Sequence, residues 1–196
     1  MSGSFGDRGR LFVVSGPSGA GKSTVIRGVL DRKPDVTLSV SATTRPARRG
    51  ERAGIDYLFV SREEFLARRD RGEFLETAEV YGNFYGTPRE PVERALQAGR
   101  DVLLEIDIQG AVSVKRALPD AVLIFIEPPD LSALSERLRG RGTEDPESLN
   151  KRMRYWYDEL KAKGIYDHVI VNDHVGEAVE SLLRILGAQD HKKGTR

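Results

Sequence analysis

Gly16-Pro17-Ser18-Gly19-Ala20-Gly21-Lys22-Ser23, followed by Thr24, has residue types and spacing suited to holding a chain of phosphates. The run fits G-x-x-x-x-G-K-[ST]. Glycines let backbone N–H groups turn inward around phosphate oxygens, and a helix opening where the loop ends adds partial positive charge. In such a loop Lys22 reaches the β- and γ-phosphates and the Ser23 hydroxyl serves Mg²⁺. That is the chemistry of a nucleoside triphosphate bound with its metal. The loop alone does not say what is done with it.

Arginine supplies the second clue. The chain carries 23 Arg against 8 Lys, and the guanidinium is the side chain that forks onto phosphate oxygens. Two clusters stand out, Arg45, Arg48, Arg49 and Arg52, then Arg137, Arg139 and Arg141. An NTPase that attacks with water has no use for a second anion site. A kinase acting on a small phosphorylated acceptor needs one, and needs cations to screen the transferring phosphoryl group. The clusters favour the kinase.

Other chemistries fall away. With no cysteine in 196 residues, disulfides, thiolate nucleophiles and Cys-based zinc sites are excluded. His168, His174 and His191 have no partners at metal-ligand spacing. A net charge of +1 gives no bulk field to recruit nucleic acid. The longest apolar run, Ala121–Ile126, suits a buried strand and falls far short of the roughly 18 residues of a membrane span. The polar MSGSFGDRGR start does not read as a secretory signal. At 39% hydrophobic and 31% charged residues, the chain reads as one globular cytoplasmic domain. Residues 1–9 and 191–196 read as disordered tails.

The elements that must position these residues follow from periodicity. Leu11–Ser15 reads as a buried strand, and Val25, Ile26, Val29 and Leu30 mark one face of the helix after the loop. Val36–Val40 and Tyr57–Val60 read as strands, and Arg45–Gly54 as a loop. Ser61–Glu64 fits a capping box for a helix to about Arg69. Glu73–Val80 and Phe84–Gly86 form a hairpin about Gly82-Asn83. Thr87-Pro88-Arg89-Glu90 opens a helix with Pro at its first position. Asp101–Ile108 and Ala121–Ile126 read as fully buried strands of a parallel sheet. Leu131–Leu138 reads as helix, as does a segment from Asp145-Pro146 to Lys161. Val169–Val171 is a last strand and Gly176–Leu186 a last helix. The fold class is α/β, a parallel sheet with flanking helices, interrupted between Ser41 and Gly86 by an inserted mixed lobe.

Several further runs resemble the guanylate kinases, members of the P-loop nucleoside monophosphate kinase family. They are Ser39–Arg48 (SVSATTRPAR) with Gly54-Ile55-Asp56-Tyr57, Gly82–Thr87 (GNFYGT), Glu105–Gly110 (EIDIQG), Arg137–Gly142 (RLRGRG) and Val169–Asp173 (VIVND). The resemblance runs in the family's order from Leu11 to Asp173. It implies a core at 10–40 and 87–190, a GMP-binding lobe at 41–86 and a mobile lid at about 138–150. It implies ATP as phosphoryl donor, bound by Gly16 to Thr24 with Asn172 near adenine, although a structural turn Asn is nearly as good a reading of Asn172. It implies a GMP phosphate held by Arg45, Arg48, Tyr57 and Tyr85, and guanine read by Ser41, Glu76, Thr87 and Asp107. Taken alone, Tyr57 and Tyr85 read as lobe packing and Glu76 as a solvated strand carboxylate. Lys22, Arg45, Arg137, Arg141 and Arg152 would neutralise charge on the transferred group. Glu105, where many members carry Asp, would organise Mg²⁺ through water.

The implied reaction moves the ATP γ-phosphate to a GMP or dGMP phosphate oxygen, within purine nucleotide metabolism. The acceptor is already an anion, so no general base is needed. The expected partners are small-molecule nucleotides, not nucleic acid or membrane, and the oligomeric state is left open. Two alternatives stand beside this one: a P-loop kinase for another small phosphorylated acceptor, and a non-catalytic guanylate-kinase-like binding module. The intact Gly21, Lys22, Ser23, Arg45 and Arg48 weigh against the second.

Overall fold

The computed structural model describes residues 8–130, 132 and 162–188, and elements are numbered within them. The chain divides into two compact units. One joins the stretch ending at Val13 to Asp35–Val122; the other joins Val14–Pro34 to the stretch from Leu123 onward.

Strand β1 (Leu11–Ser15) is buried along its whole length, as its unbroken apolar run dictates. It belongs to a five-stranded sheet with β2 (Thr37–Leu38), β7 (Val102–Glu105), β8 (Val122–Glu127) and β9 (His168–Val171), in the order β2-β7-β1-β8-β9. The β2–β7 and β8–β9 pairs are parallel, which hairpins cannot join and crossover connections must. The α/β class expected from the alternating pattern is what the chain adopts.

The first unit holds a second, mixed sheet in the order β4-β3-β6-β5. It is built from β3 (Ala42–Thr43), β4 (Leu58–Phe59), β5 (Phe74–Val80) and β6 (Asn83–Pro88). Helices α2 (Arg62–Asp70), α3 (Arg89–Gln97) and α4 (Ile108–Ala117) pack against β5. One face of this sheet rests on aromatic rings, with Phe65 stacked 4.6 Å from Phe74 and 5.4 Å from Phe84. Gly86 makes that possible: a Cβ there would stand 3.0 Å from the Phe74 ring and 3.1 Å from Phe65.

In the second unit, α1 (Lys22–Leu30) packs on α5 (Val175–Ala188). Val25, Ile26 and Val29 are buried, as are Ala178, Val179, Leu182 and Leu186. A 3₁₀ turn, Ala162–Ile165, precedes β9. No described helix is long and apolar enough to cross a membrane.

Local expectations hold unevenly. The Ser61 cap forms, its hydroxyl accepting from Glu64 N at 3.1 Å. The hairpin turn lies one residue earlier than read. Tyr81 (φ 51°) and Gly82 (φ 77°) are its central pair, the left-handed geometry of a type I′ turn. Helix α3 begins at Arg89 with Pro88 in the cap position, because Thr87 and Pro88 are still paired in β6. Strand β7 stops at Glu105 rather than Ile108. Asp107 caps α4, a helix the apolar run concealed, by accepting from Gly110 N at 2.9 Å. The two-residue β3 lies in the inserted lobe between the expected Val36–Val40 strand and Arg45–Gly54 loop, where no strand is expected. The helices expected at 131–138 and 145–161 and the lid at 138–150 lie outside the described residues, Ser132 apart.

Candidate functional site

In the second unit, β1 delivers the chain into Gly16, and the phosphate loop closes on itself. Gly16 (φ 138°), Gly19 (φ 92°) and Gly21 (φ 84°) have positive φ. Gly16 is forced twice over, since a Cβ would stand 2.0 Å from the Ile126 carbonyl oxygen. Ala20 N donates to Pro17 O at 3.1 Å, and Gly21 forms the N-cap of α1 without a side-chain bond. The opening N–H groups of a helix point out of its N-terminus and carry its partial positive charge, and Lys22 and Ser23 stand there in α1. Lys22 Nζ donates to the carbonyls of Gly16 at 2.7 Å and Pro17 at 3.1 Å, lying along the loop it serves. Ser23 and Thr24 are exposed in the first turn.

Asn172, just past β9, is 1% exposed. Its Nδ2 donates to Ala20 O at 2.7 Å, and its own N–H donates to Glu127 O at 2.7 Å. Gly21 lies directly beneath it: a Cβ there would stand 2.4 Å from Nδ2. The Asn172 amide nitrogen is thus engaged with the loop itself.

In the first unit, two clusters form from residues far apart in sequence. Arg45 forks onto Glu51, with Nη1 to Oε2 at 3.0 Å and Nη2 to Oε1 at 2.8 Å, and Nε donates to Tyr85 Oη at 3.2 Å. Glu51 also accepts from Arg48 N at 2.7 Å. Arg45 Cζ lies 5.4 Å from the Tyr57 ring centre, and the Tyr57 and Tyr85 rings meet edge-on at 6.0 Å. Burial opposes the Arg45 charge, but the bonds to Glu51 and Tyr85 outweigh it and hold its pKa above the usual value. Burial likewise opposes ionisation of Glu51, and Arg45 with the Arg48 N–H overcomes it. Tyr57 is pushed up to about 12, by burial first and then by Glu105 and Tyr85, so it stays a phenol donor. Arg48 is exposed.

The second cluster centres on Glu76. It is 6% exposed, not the solvated carboxylate that its residue type suggests. Thr87 Oγ1 donates to its Oε1 at 2.7 Å, across directly paired positions of β5 and β6. Burial pushes Glu76 up to about 7, and the nearby Asp107 adds to that while the Thr87 bonds oppose it. A bulge between Phe74 and Glu76 shifts the strand by one residue. Without it, period-2 alternation would send Glu76 into the aromatic core with Phe74. Along β6, Phe84 and Gly86 face that core while Tyr85 and Thr87 share the opposite face, the one Glu76 joins. Ser41, 8% exposed, precedes β3. Asp107 is occupied in capping α4.

The structure thus gathers Arg45, Tyr57 and Tyr85 in one cluster, and separately Glu76, Thr87 and Asp107 in another. Arg137, Arg141 and Arg152 lie outside the described residues. Glu51 was missed in sequence; its one signal was a lone carboxylate among Arg45, Arg48, Arg49 and Arg52.

Known proteins with this chemistry are similar along nearly the full chain. A family model for guanylate kinase matches residues 8–189. A guanylate kinase of Thermus thermophilus is 52% identical over 189 residues, covering 96% of this chain and 84% of that protein. One from Clostridium perfringens is 49% identical over 183 residues, covering 93% and 85%. The crystal structure of guanylate kinase from Anaplasma phagocytophilum superposes with a TM-score of 0.77 at 39% identity, covering 93% of this chain and 87% of that one. An unliganded sugar kinase from Janibacter sp., 16% identical with a TM-score of 0.52, shares the fold alone. With the family pattern matched over residues 8–189 and about half the residues identical to named members, this chain belongs to the guanylate kinase family.

Proposed function

We propose that this protein transfers the γ-phosphate of ATP to GMP, and to dGMP, giving ADP and the nucleoside diphosphate. The observation that carries the acceptor assignment is the buried Glu76–Thr87 pair. A carboxylate there accepts from guanine N1–H and the 2-amino group together. Adenine offers a lone pair at N1 and would leave the carboxylate buried and unpaired, and sites of this kind discriminate strongly. The Thr87 hydroxyl can turn to donate to guanine O6.

Each remaining group has a physical task. Arg45 and Arg48 meet the acceptor phosphate with charge-assisted bonds, and Tyr57 and Tyr85 complete its shell as neutral donors. Glu51 aims the Arg45 fork. The loop N–H groups and Lys22 hold the donor phosphates. Asn172 keeps the loop in shape, Ala20 being its anchor. By resemblance, Arg137, Arg141 and Arg152 screen the transferred group. Serine hydroxyl and carboxylate are hard oxygen donors that suit Mg²⁺, so Ser23 would hold it directly and Glu105 through water. The chemistry such an ion would supply there is neutralisation of charge on the donor phosphates. The acceptor oxygen is already anionic, so catalysis is positioning and charge neutralisation, with no base and no phospho-enzyme. The site of action is the cytoplasm, where both nucleotides are found.

The test is ADP production from ATP–Mg²⁺ with GMP, dGMP, AMP, UMP, CMP and dTMP in turn. Turnover confined to GMP and dGMP is expected. Equal turnover with another acceptor would discard the guanine site, and GMP binding without turnover would revive the binding module.

A further inference from the structure

Helix α4 carries a glycine in its first turn, Gly110, where the backbone asks for none. Its φ is ordinary for a helix, and alanine is the better helix former. The reason lies above it. A Cβ on Gly110 would stand 2.6 Å from Glu76 Oε2, 3.1 Å from Glu76 Cδ and 3.2 Å from Asp107 Oδ1. Contacts under 3.0 Å do not survive, so something must shift. Glu76 has little room for it, being 6% exposed and bound to Thr87 at 2.7 Å. Gly110 itself is buried, and its N–H is fixed on Asp107.

We infer that Gly110 is a specificity-determining positioning residue, its missing side chain leaving the space in which the Glu76 carboxylate is held facing Thr87 to read guanine. It touches no substrate; it acts through Glu76, and the inference rests on the guanine reading of Glu76 proposed above. A methyl group at position 110 displaces the Glu76 carboxylate, while the Asp107 cap, 3.2 Å away, has to give by only a few tenths of an ångström and the helix keeps its backbone. The cost therefore falls on the acceptor base, not on the donor nucleotide and not on the fold.

The experiment compares wild type with Gly110→Ala, Glu76→Gln, Glu76→Asp and the double variant Gly110→Ala/Glu76→Asp. KM for GMP, KM for ATP, kcat and thermal midpoint are measured for each. Gly110→Ala should raise KM for GMP by roughly tenfold or more, the effect of one misplaced hydrogen-bonding group, with ATP KM and the thermal midpoint unchanged. Glu76→Asp withdraws the carboxylate by one methylene, so adding Gly110→Ala to it should cost far less than in wild type, a non-additivity that marks a direct steric link. If Glu76→Gln loses GMP but Gly110→Ala does not, the inference is overturned and the reading of Glu76 stands. If Glu76→Gln also leaves GMP untouched, the reading falls and the inference with it. Equal losses for GMP and ATP, a lowered midpoint, or full additivity would make Gly110 merely structural and overturn it too.

Discussion

The loop proposed for the donor and the pocket proposed for the acceptor are built by opposite means. The loop is made of backbone: successive residues from Gly16 to Ser23, positive φ at three glycines, and N–H groups at the head of α1. The acceptor pocket is made of side chains brought from Arg45, Glu51, Tyr57, Glu76, Tyr85, Thr87 and Asp107. The loop's geometry is local and stands on one chain segment plus Asn172. The pocket's geometry depends on strand register, on a bulge in β5, on the Arg45–Glu51 ion pair and on hydrogen bonds such as Thr87 to Glu76. A backbone site binds any polyphosphate of the right shape, whereas a side-chain site can tell one base from another. Damage should therefore propagate differently in the two.

The sharpest way to break the comparison is Lys22→Ala. Lys22 donates to the loop carbonyls of Gly16 and Pro17 and supplies the charge that the loop backbone lacks. We expect kcat to fall about 10²–10³-fold, the usual cost of one transition-state donor. GMP binding by calorimetry and the thermal midpoint should stay at wild-type values. A parallel fall in GMP affinity would mean the two regions are not separable.

Glu76→Gln comes next, with an expected rise in KM for GMP of about 10–10²-fold, from loss of a charge-assisted bond of roughly 1.5–3 kcal/mol. Its pH dependence is more telling. Reading guanine needs the carboxylate, and burial with Asp107 nearby holds Glu76 at about 7. GMP affinity in wild type should thus strengthen as pH rises through 7, with a component that Glu76→Gln lacks. Stability runs the other way. The folded protein binds this proton more tightly than the unfolded chain, whose Glu titrates near 4.5. Stability associated with Glu76 is therefore fully present below 4.5 and is lost as pH rises to 7, by about 3 kcal/mol. Urea unfolding at pH 5 and pH 8 should find the variant gaining on wild type as pH rises. No such gain would remove the case for a strained, function-bearing carboxylate in this pocket.

The two regions were unequally legible in sequence for the same physical reason. A local backbone site leaves a local pattern, and Gly16–Ser23 announces itself together with the strand before it and the helix after it. The side-chain pocket leaves none. Resemblance named Glu76 and Thr87, but residue type alone made Glu76 a surface carboxylate, because alternation cannot anticipate a bulge at Leu75 that reverses its face. Helix α4 was hidden because the apolar run DVLLEIDI continues through its cap, and Asp107 looked like strand until its side chain was seen on Gly110 N. Pro88 was read as helix because P-R-E fits a helix start, yet backbone pairing with Phe74 claims it for β6. Tertiary pairing outranked local propensity in each case.

The smallest expected effect on activity is at Asn172, and it decides between the two readings of that residue. Asn172→Ala removes the Nδ2 bond to Ala20 O and leaves a buried carbonyl without that donor. We expect a stability loss of about 1–3 kcal/mol and a rise in ATP KM of no more than about tenfold, the size of one lost bond, with KM for GMP unchanged. The informative comparison is between ATP and a donor triphosphate carrying another base. If Asn172 holds the loop, both donors lose equally, because the loop grips phosphates and ignores the base. If Asn172 grips adenine, ATP alone loses. The 1% exposure of Asn172 and its seat above Gly21 place the expectation on equal loss. A loss confined to ATP would return the residue to the adenine site and leave the loop to its glycines.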